Sequence, residues 1–236
     1  MDGRRLIVNA DDFGQSPGVN RGVIESHERG IVNSASLMVR WPAAAAAAAY
    51  ARAHPTLDVG LHVDLGEWVY ERSTWRPRYE VVPLQDDAAV GAELRGQLAA
   101  FADLLGHPPS HIDSHQHVHH REPLRSILLN VAAALGIPLR GATPPIHYCG
   151  AFYGQTAEGA ALPGVLTLEG LVDILGRLPA GTTELGCHPG FADDLDTTYA
   201  AERATEVEVL CDPRLRAALA HLQIIRCSFA DATMVL

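Results

Sequence analysis

A chain of 236 residues, 47% hydrophobic and 19% charged, is long enough to bury a sizeable core without disulfide staples. Its formal net charge of -10, from 28 acids against 18 bases, argues against nucleic acid or an anionic membrane as partner. The four cysteines (Cys149, Cys187, Cys211, Cys227) form no C-x-x-C pair, no stretch could span a membrane, and the apolar run after Arg4 and Arg5 is too short for a signal-peptide core, so a reducing cytoplasm is the expected compartment.

Leu6 to Ala10 form a short apolar run, the pattern of a buried strand, and it ends in two adjacent carboxylates, Asp11 and Asp12, before a Phe-Gly turn. Ser16-Pro17 opens a helix that runs to about Arg29 and stops at Gly30. Ser34 to Val39 read as a second strand. Pro42 opens an alanine-rich helix, ended by His54-Pro55, and Leu57 to Leu65 read as a third strand. Residues 66–86 read as a loop carrying Trp68, Tyr70, Trp75 and Tyr79. A long helix follows from about Asp87 to Leu105, stopped by Gly106 and Pro108.

The fourth strand is short, around His111 to Asp113, and a helix over 121–135 ends at Gly136. Ile137 to Arg140 read as a fifth strand, and the Gly- and Pro-rich residues 141–164 as a long loop or lid. A helix near 167–178, the strand Thr183 to His188, helices over about 197–210 and after Asp212-Pro213, and a last strand Ile224 to Phe229 complete the chain. Strand and helix alternate throughout, which argues for a parallel sheet with crossover helices. About seven strands suggest a TIM-like β/α barrel, closed or incomplete. With no internal repeat and no linker, residues 1–236 are expected to form one domain.

In such barrels the chemistry sits at the carboxyl ends of the strands. Asp11, Asp12, His62, His115, Arg140 and His188 all fall there or within a few residues. Paired acids at a strand end can divide the work, one holding a metal and one a water; they are also common as turn formers. His115, His117 and His119 alternate along an extended segment and could converge, with one or two ligating and the others supporting them. Arg140 could orient a substrate or stabilise an oxyanion, or form an ordinary salt bridge. Trp68 and Trp75 could stack on sugar faces or seal the barrel end.

Asn9-Ala10-Asp11-Asp12-Phe13-Gly14, Gly60-Leu61-His62, Asp113-Ser114-His115-Gln116-His117-Val118-His119 and His188-Pro189-Gly190 together resemble the YdjC-like carbohydrate deacetylases, over nearly the whole chain and in the expected order. The resemblance implies a distorted β/α barrel and one divalent ion, Zn2+ or Mg2+, held by Asp12, His62 and His115. It implies Asp11 as general base and His188 as a second catalytic group that protonates the leaving amine. As an acid, His188 needs a carboxylate or carbonyl partner that raises its pKa, and Glu184, Asp193, Asp194 and Glu206 are the nearest candidates in sequence. His117, His119, Arg140, Trp68 and Trp75 then belong to the surroundings of the metal or to substrate binding.

The implied reaction is hydrolysis of the N-acetyl group of an amino sugar or its conjugate, with acetate released. A homodimer stays open as an assembly. Other metal-dependent barrel hydrolases, of amidohydrolase or phosphoesterase type, usually carry a H-x-H pair at the first strand, where this chain has Asp-Asp. A non-catalytic sugar-binding protein would not need Asp11.

Overall fold

The computed structural model describes residues 3–162, 164–191 and 193–233. At its centre is β1 (Arg4–Phe13), whose last eight residues are all buried. Ser16 caps α1 (Pro17–Glu28) by accepting from the Val19 N–H, as the Ser-Pro pair predicts. After β2 (Ser34–Leu37) comes α2 (Ala44–Ala53), in which Ala44, Ala47, Ala48 and Ala51 are buried. That i, i+3, i+4, i+7 stripe gives the low-complexity run an ordinary core face, made of side chains small enough for close packing.

β3 (Asp58–Val63) is followed by an antiparallel hairpin, β4 (Gly66–Glu71) and β5 (Thr74–Glu80), where a loop was expected. Its two-residue turn is Arg72-Ser73, both at positive φ (49° and 62°). Such turns usually carry Asn or Gly, so the sequence lacked the usual hairpin signal.

Helix α3 (Asp87–Leu105) is capped by Asp86 and closed by Gly106 at φ 80°. The short β6 (Ile112–Ser114) runs into a 3-10 segment, His115–His120, and then α4 (Leu124–Leu135). The strand expected over Ile137 to Arg140 shrinks to one bridge, between Leu139 and Ile112. Pro138 has no N–H to extend the ladder, and Gly141 turns the chain at φ 65°. A strand forms instead inside the expected loop, β7 (Ile146–Cys149), paired with β8. The rest is α5 (Leu168–Gly176), β8 (Gly181–Cys187), α6 (Ala200–Leu210), α7 (Arg214–His221), β9 (Ile224–Arg226) and α8 (Phe229–Thr233).

Seven parallel strands form one curled sheet in the order β6-β3-β2-β1-β8-β7, with β9 against the start of β1. The architecture is a distorted, incomplete β/α barrel. Strand alternation sorts the side chains of β1. Leu6, Val8 and Ala10 join the large core shared with the surrounding helices. Ile7 packs instead with Cys227, Phe229 and Ala232. Asn9 and Asp11 share the side of Ile7 and are bonded to each other, with Asn9 Nδ2 2.9 Å from Asp11 Oδ1. Phe229 stacks on His111 with ring centroids 3.8 Å apart. That buried His111 ring is why Gly60 must be glycine: a Cβ there would stand 2.3 Å from it. No helix among the described residues is long and apolar enough to cross a membrane.

Candidate active site

Parallel register brings four strand ends together. His62 on β3 pairs with Asp113 on β6, and Ala10 on β1 with Cys187 on β8. The residues that follow the second pair, Asp11 and His188, meet with Asp11 Oδ2 3.6 Å from His188 Nε2. Asp12 leaves the strand geometry at φ 63°, a conformation that costs a non-glycine residue about 1–3 kcal/mol. The turn lets neighbouring carboxylates reach one site, although consecutive strand residues face opposite ways. Asp12 Oδ1 lies 3.2 Å from His62 Nε2 and 3.1 Å from His115 Nδ1, while Oδ2 accepts from Arg203 Nη2 at 2.5 Å.

His62 shows that this trio fits a cation. Its Nδ1 stands 2.7 Å from Asp113 Oδ1, and its Nε2 faces Asp12. A neutral imidazole donates from only one nitrogen. With Nδ1–H given to Asp113, the Nε2 lone pair confronts a carboxylate oxygen. A second ring proton or a metal ion relieves that contact, and a carboxylate behind the far nitrogen is the usual support of a ligating histidine. The spacing agrees, since donors about 2.0–2.2 Å from one ion stand about 3 Å apart.

Charge bookkeeping points the same way. Burial would raise the pKa values of Asp11, Asp12 and Asp113, but Arg140 overrides it for Asp11 and Asp113, and Arg203 for Asp12, so all three are lowered. With Glu184 set aside, its carboxyl pushed up to about 7 by burial, three ionised carboxylates against two arginines leave one negative charge before any histidine is counted. Burial pulls the His62 and His115 pKa values down, yet Asp113 and Asp12 lift His62 well above its usual value, and Asp12 and Glu67 push His115 up to about 9. Protons are thus drawn to the place a cation would take.

Among the described residues two other groups bring three donor atoms within 4.8 Å of one another, Asp11–His62–Asp113 and His117–His119–His120. The first is poorly suited, because both its carboxylates are already held by one guanidinium. Arg140 reaches Asp11 through Nη1 and Nη2, both at 2.7 Å, Asp113 through Nη2 at 2.5 Å, and Glu184 through Nε at 2.6 Å. Its side chain is fully buried and lies outside the cleft lining, so it is an ion-pair hub beneath the site.

None of the four carboxylates nearest His188 in sequence reaches its ring. Glu206 accepts from its backbone N–H at 2.5 Å, Glu184 belongs to Arg140, Asp193 pairs with Arg21, and Asp194 binds Ser16 and the Gly18 N–H. Among the described residues Asp11 is the only carboxylate within 4 Å of the ring nitrogens. Burial pushes the His188 imidazole down to about 4, and the opposing pull of Asp11 and Asp12 does not overcome it.

The trio sits in a cleft of about 1030 Å³. The hairpin supplies Trp68 and Trp75 to its wall, and the stretch expected to be a lid supplies Tyr153, Gln155 and Glu158. Trp68 is partly buried against the core, and its backbone N–H and C=O both bond the Gln116 amide at 2.8 Å. Trp75 is 52% exposed. His117 lines the cleft beside Tyr148, whereas His119 is buried behind it.

Sequence reasoning missed Arg203, Asp113 as the partner of His62, and Tyr148. Nothing local marks Arg203, an arginine in the interior of α6. Asp113 did carry a signal, standing in a strand two residues before a candidate ligand.

The family model described as YdjC-like protein matches residues 5–221. A chitooligosaccharide deacetylase of Serratia marcescens is 35% identical, with 96% of this chain and 98% of the relative covered. A carbohydrate deacetylase of Geobacillus stearothermophilus is 34% identical over 92% of this chain and 94% of its own. A solved chain from Enterococcus faecalis superposes with a TM-score of 0.77 at 26% identity, covering 97% of this chain and 98% of that one. The family 4 carbohydrate esterase of Streptomyces lividans shares the fold at a TM-score of 0.55 and 16% identity, covering 95% and 92%. With its motifs at four converging strand ends and its relatives matched almost end to end, this chain belongs to the YdjC-like family.

Proposed function

We propose that the protein is a metal-dependent hydrolase that removes the N-acetyl group of an amino sugar or amino-sugar conjugate and releases acetate. The observation that carries this reading is the Asp12–His62–His115 trio with Asp11 and His188 beside it, at the base of an aromatic-walled cleft. The deacetylase relatives support the substrate class. Asp12, His62 and His115 would hold one divalent ion. Two imidazoles with one carboxylate suit zinc, and magnesium, which prefers oxygen, is the second candidate. When bound, such an ion polarises the amide carbonyl and acidifies water.

The chain's own residues do the rest. Asp113 fixes the orientation of His62, and Arg203 holds Asp12 Oδ2 so that Oδ1 faces the histidines. Asp11, kept ionised by Arg140, takes a proton from the attacking water. His188, with its pKa pushed down to about 4, is neutral at pH 7, so it must receive its proton during the reaction. Asp11, 3.6 Å away, is the source. His188 Nε2 then delivers that proton to the nitrogen as the C–N bond breaks, and Asp11 is left ionised again. Residues 1–236 act as one domain in this reading, in the cytoplasm and without a nucleic-acid partner, in keeping with the -10 charge.

Acetate release measured across N-acetylated sugars, with bound metal assayed in the same sample, tests the proposal. Asp12→Ala should lose the ion. Asp11→Asn should keep it and lower kcat by roughly 10²–10⁴-fold. If both variants lose the metal equally, the division of labour between the two carboxylates is wrong.

A further inference from the structure

We propose a second cation site in this protein, formed by His117, His119 and His120, that takes a zinc- or copper-type ion and rejects magnesium. Each of the three residues offers one donor atom, and the three atoms lie within 4.8 Å of one another. The trio contains no carboxylate. Imidazole-only sites suit zinc, nickel and copper, whereas magnesium and calcium require oxygen.

The second observation is the state of the buried nitrogens. His119 is 1% exposed. Its Nδ1 is bonded to Ser114 Oγ at 2.7 Å, and its Nε2 has no partner among the described residues. His117 is arranged alike, with Nε2 3.3 Å from the Tyr148 hydroxyl and Nδ1 without a partner. A buried polar atom left unpaired costs about 1–3 kcal/mol and is uncommon in folded proteins. Here two occur within three residues. In each ring one nitrogen is oriented by an oxygen and the other is left open, which is how ligating histidines are usually held.

The backbone keeps this trio apart from the Asp12 site. Gln116 and His117 both have φ of 52°, in the left-handed region. Two such residues in succession fold the chain back on itself. His115 faces Asp12, while the His117 ring packs 5.8 Å from His119 and 5.6 Å from His120. His120 is exposed and gives an ion a way in. A spread of 4.8 Å is wider than the roughly 3 Å edge of a bound ion's shell, so binding must draw the rings together, with the exposed His120 free to move most. An ion held here would pin the segment that carries His115 and, through Gln116 and Trp68, the hairpin over the cleft.

The test uses the full chain, stripped of metal and titrated with Zn2+ against a chromophoric chelator. The parent protein should take two equivalents, and excess Mg2+ should not compete for the second. His120→Ala, a surface change, should take one equivalent. Asp12→Ala should also take one, and in that variant Cu2+ should give an electron-resonance spectrum with imidazole-nitrogen hyperfine structure and no carboxylate shift. The double variant should take none. His119→Gln, checked for folding by circular dichroism, should behave as His120→Ala does. Equal uptake by the parent and His120→Ala, no uptake by Asp12→Ala, or one equivalent in the double variant would each overturn the proposal, the last by showing adventitious surface histidines. These readouts are stoichiometries, so they stand or fall separately from the deacetylase reading.

Discussion

Glu206 is fully buried, accepting from the His188 N–H and bonded to the Tyr199 hydroxyl at 2.7 Å. Burial pushes its carboxyl up to about 8, against the opposing pull of those donors and Arg203. The folded chain therefore binds more protons than the unfolded chain between the ordinary value of 4.5 and about 8. For an acid raised in this way, the contribution to stability is greatest below that window and falls as pH rises through it. Glu206→Gln keeps the neutral hydrogen-bonding pattern and removes the titration. Denaturant unfolding should show the variant gaining on the parent between pH 5 and pH 8, and a difference that does not change with pH would place the proton elsewhere. Arg203 supports the site differently, as the one arginine paired with Asp12 among the described residues. Arg203→Met should cost about 3–5 kcal/mol in metal-free protein, the usual result of breaking a buried pair. Saturating divalent metal should recover part of that loss by supplying the missing positive charge, and equal losses with and without metal would rule out this coupling.

At the scale of elements, the hairpin β4–β5 separates two tryptophans that look alike in the sequence. Trp68 packs on the core and clamps Gln116, whereas Trp75 is 52% exposed and contacts Tyr70 with ring centroids 5.4 Å apart. Trp75→Ala should raise KM more than it lowers kcat and leave the melting temperature almost unchanged, because little buried area is lost. Trp68→Ala should lower stability by about 1–3 kcal/mol, because its ring is partly buried against the core while the backbone bonds to Gln116 remain. Steady-state kinetics and thermal melts on the two variants separate these roles. Equal KM effects with unchanged stability in both would make the hairpin a uniform sugar-contacting surface. The 3-10 segment His115–His120 belongs to the same unit, since Gln116 ties it to Trp68.

For the molecule as a whole, the curled sheet gathers buried charge at one end and apolar packing around it. A cation at the Asp12 trio is linked to folding, because the unfolded chain has no such site. An ion present at about 100 times its Kd stabilises by about 2.7 kcal/mol, or roughly 5–10 °C in melting temperature for a chain of this size. Chelation should produce a shift of that order, and Asp12→Ala should abolish most of it. An unchanged melting temperature on chelation would mean that histidine protons, not a metal, satisfy the buried carboxylates.

The periodic and punctuated parts of this protein were legible in the chain. The apolar run Leu6 to Ala10, the Ser-Pro cap, Gly106 and Gly136, and the strand–helix alternation led to the half-barrel, because each is a local rule of backbone geometry. Strand ends also announced Asp11, Asp12, His62, His115 and His188, since a parallel sheet brings its carboxyl ends together. The hairpin was hidden by a turn without glycine or asparagine, and β7 by the proline and glycine around it. Only the tertiary structure decided that Arg203 from α6 closes on Asp12, that Arg140 serves three carboxylates, and that Asp11 is the carboxylate facing His188. Those pairings join residues far apart in the sequence. Their strength comes from burial, which removes the water that would otherwise satisfy each charge, and burial belongs to the packed whole and not to any segment.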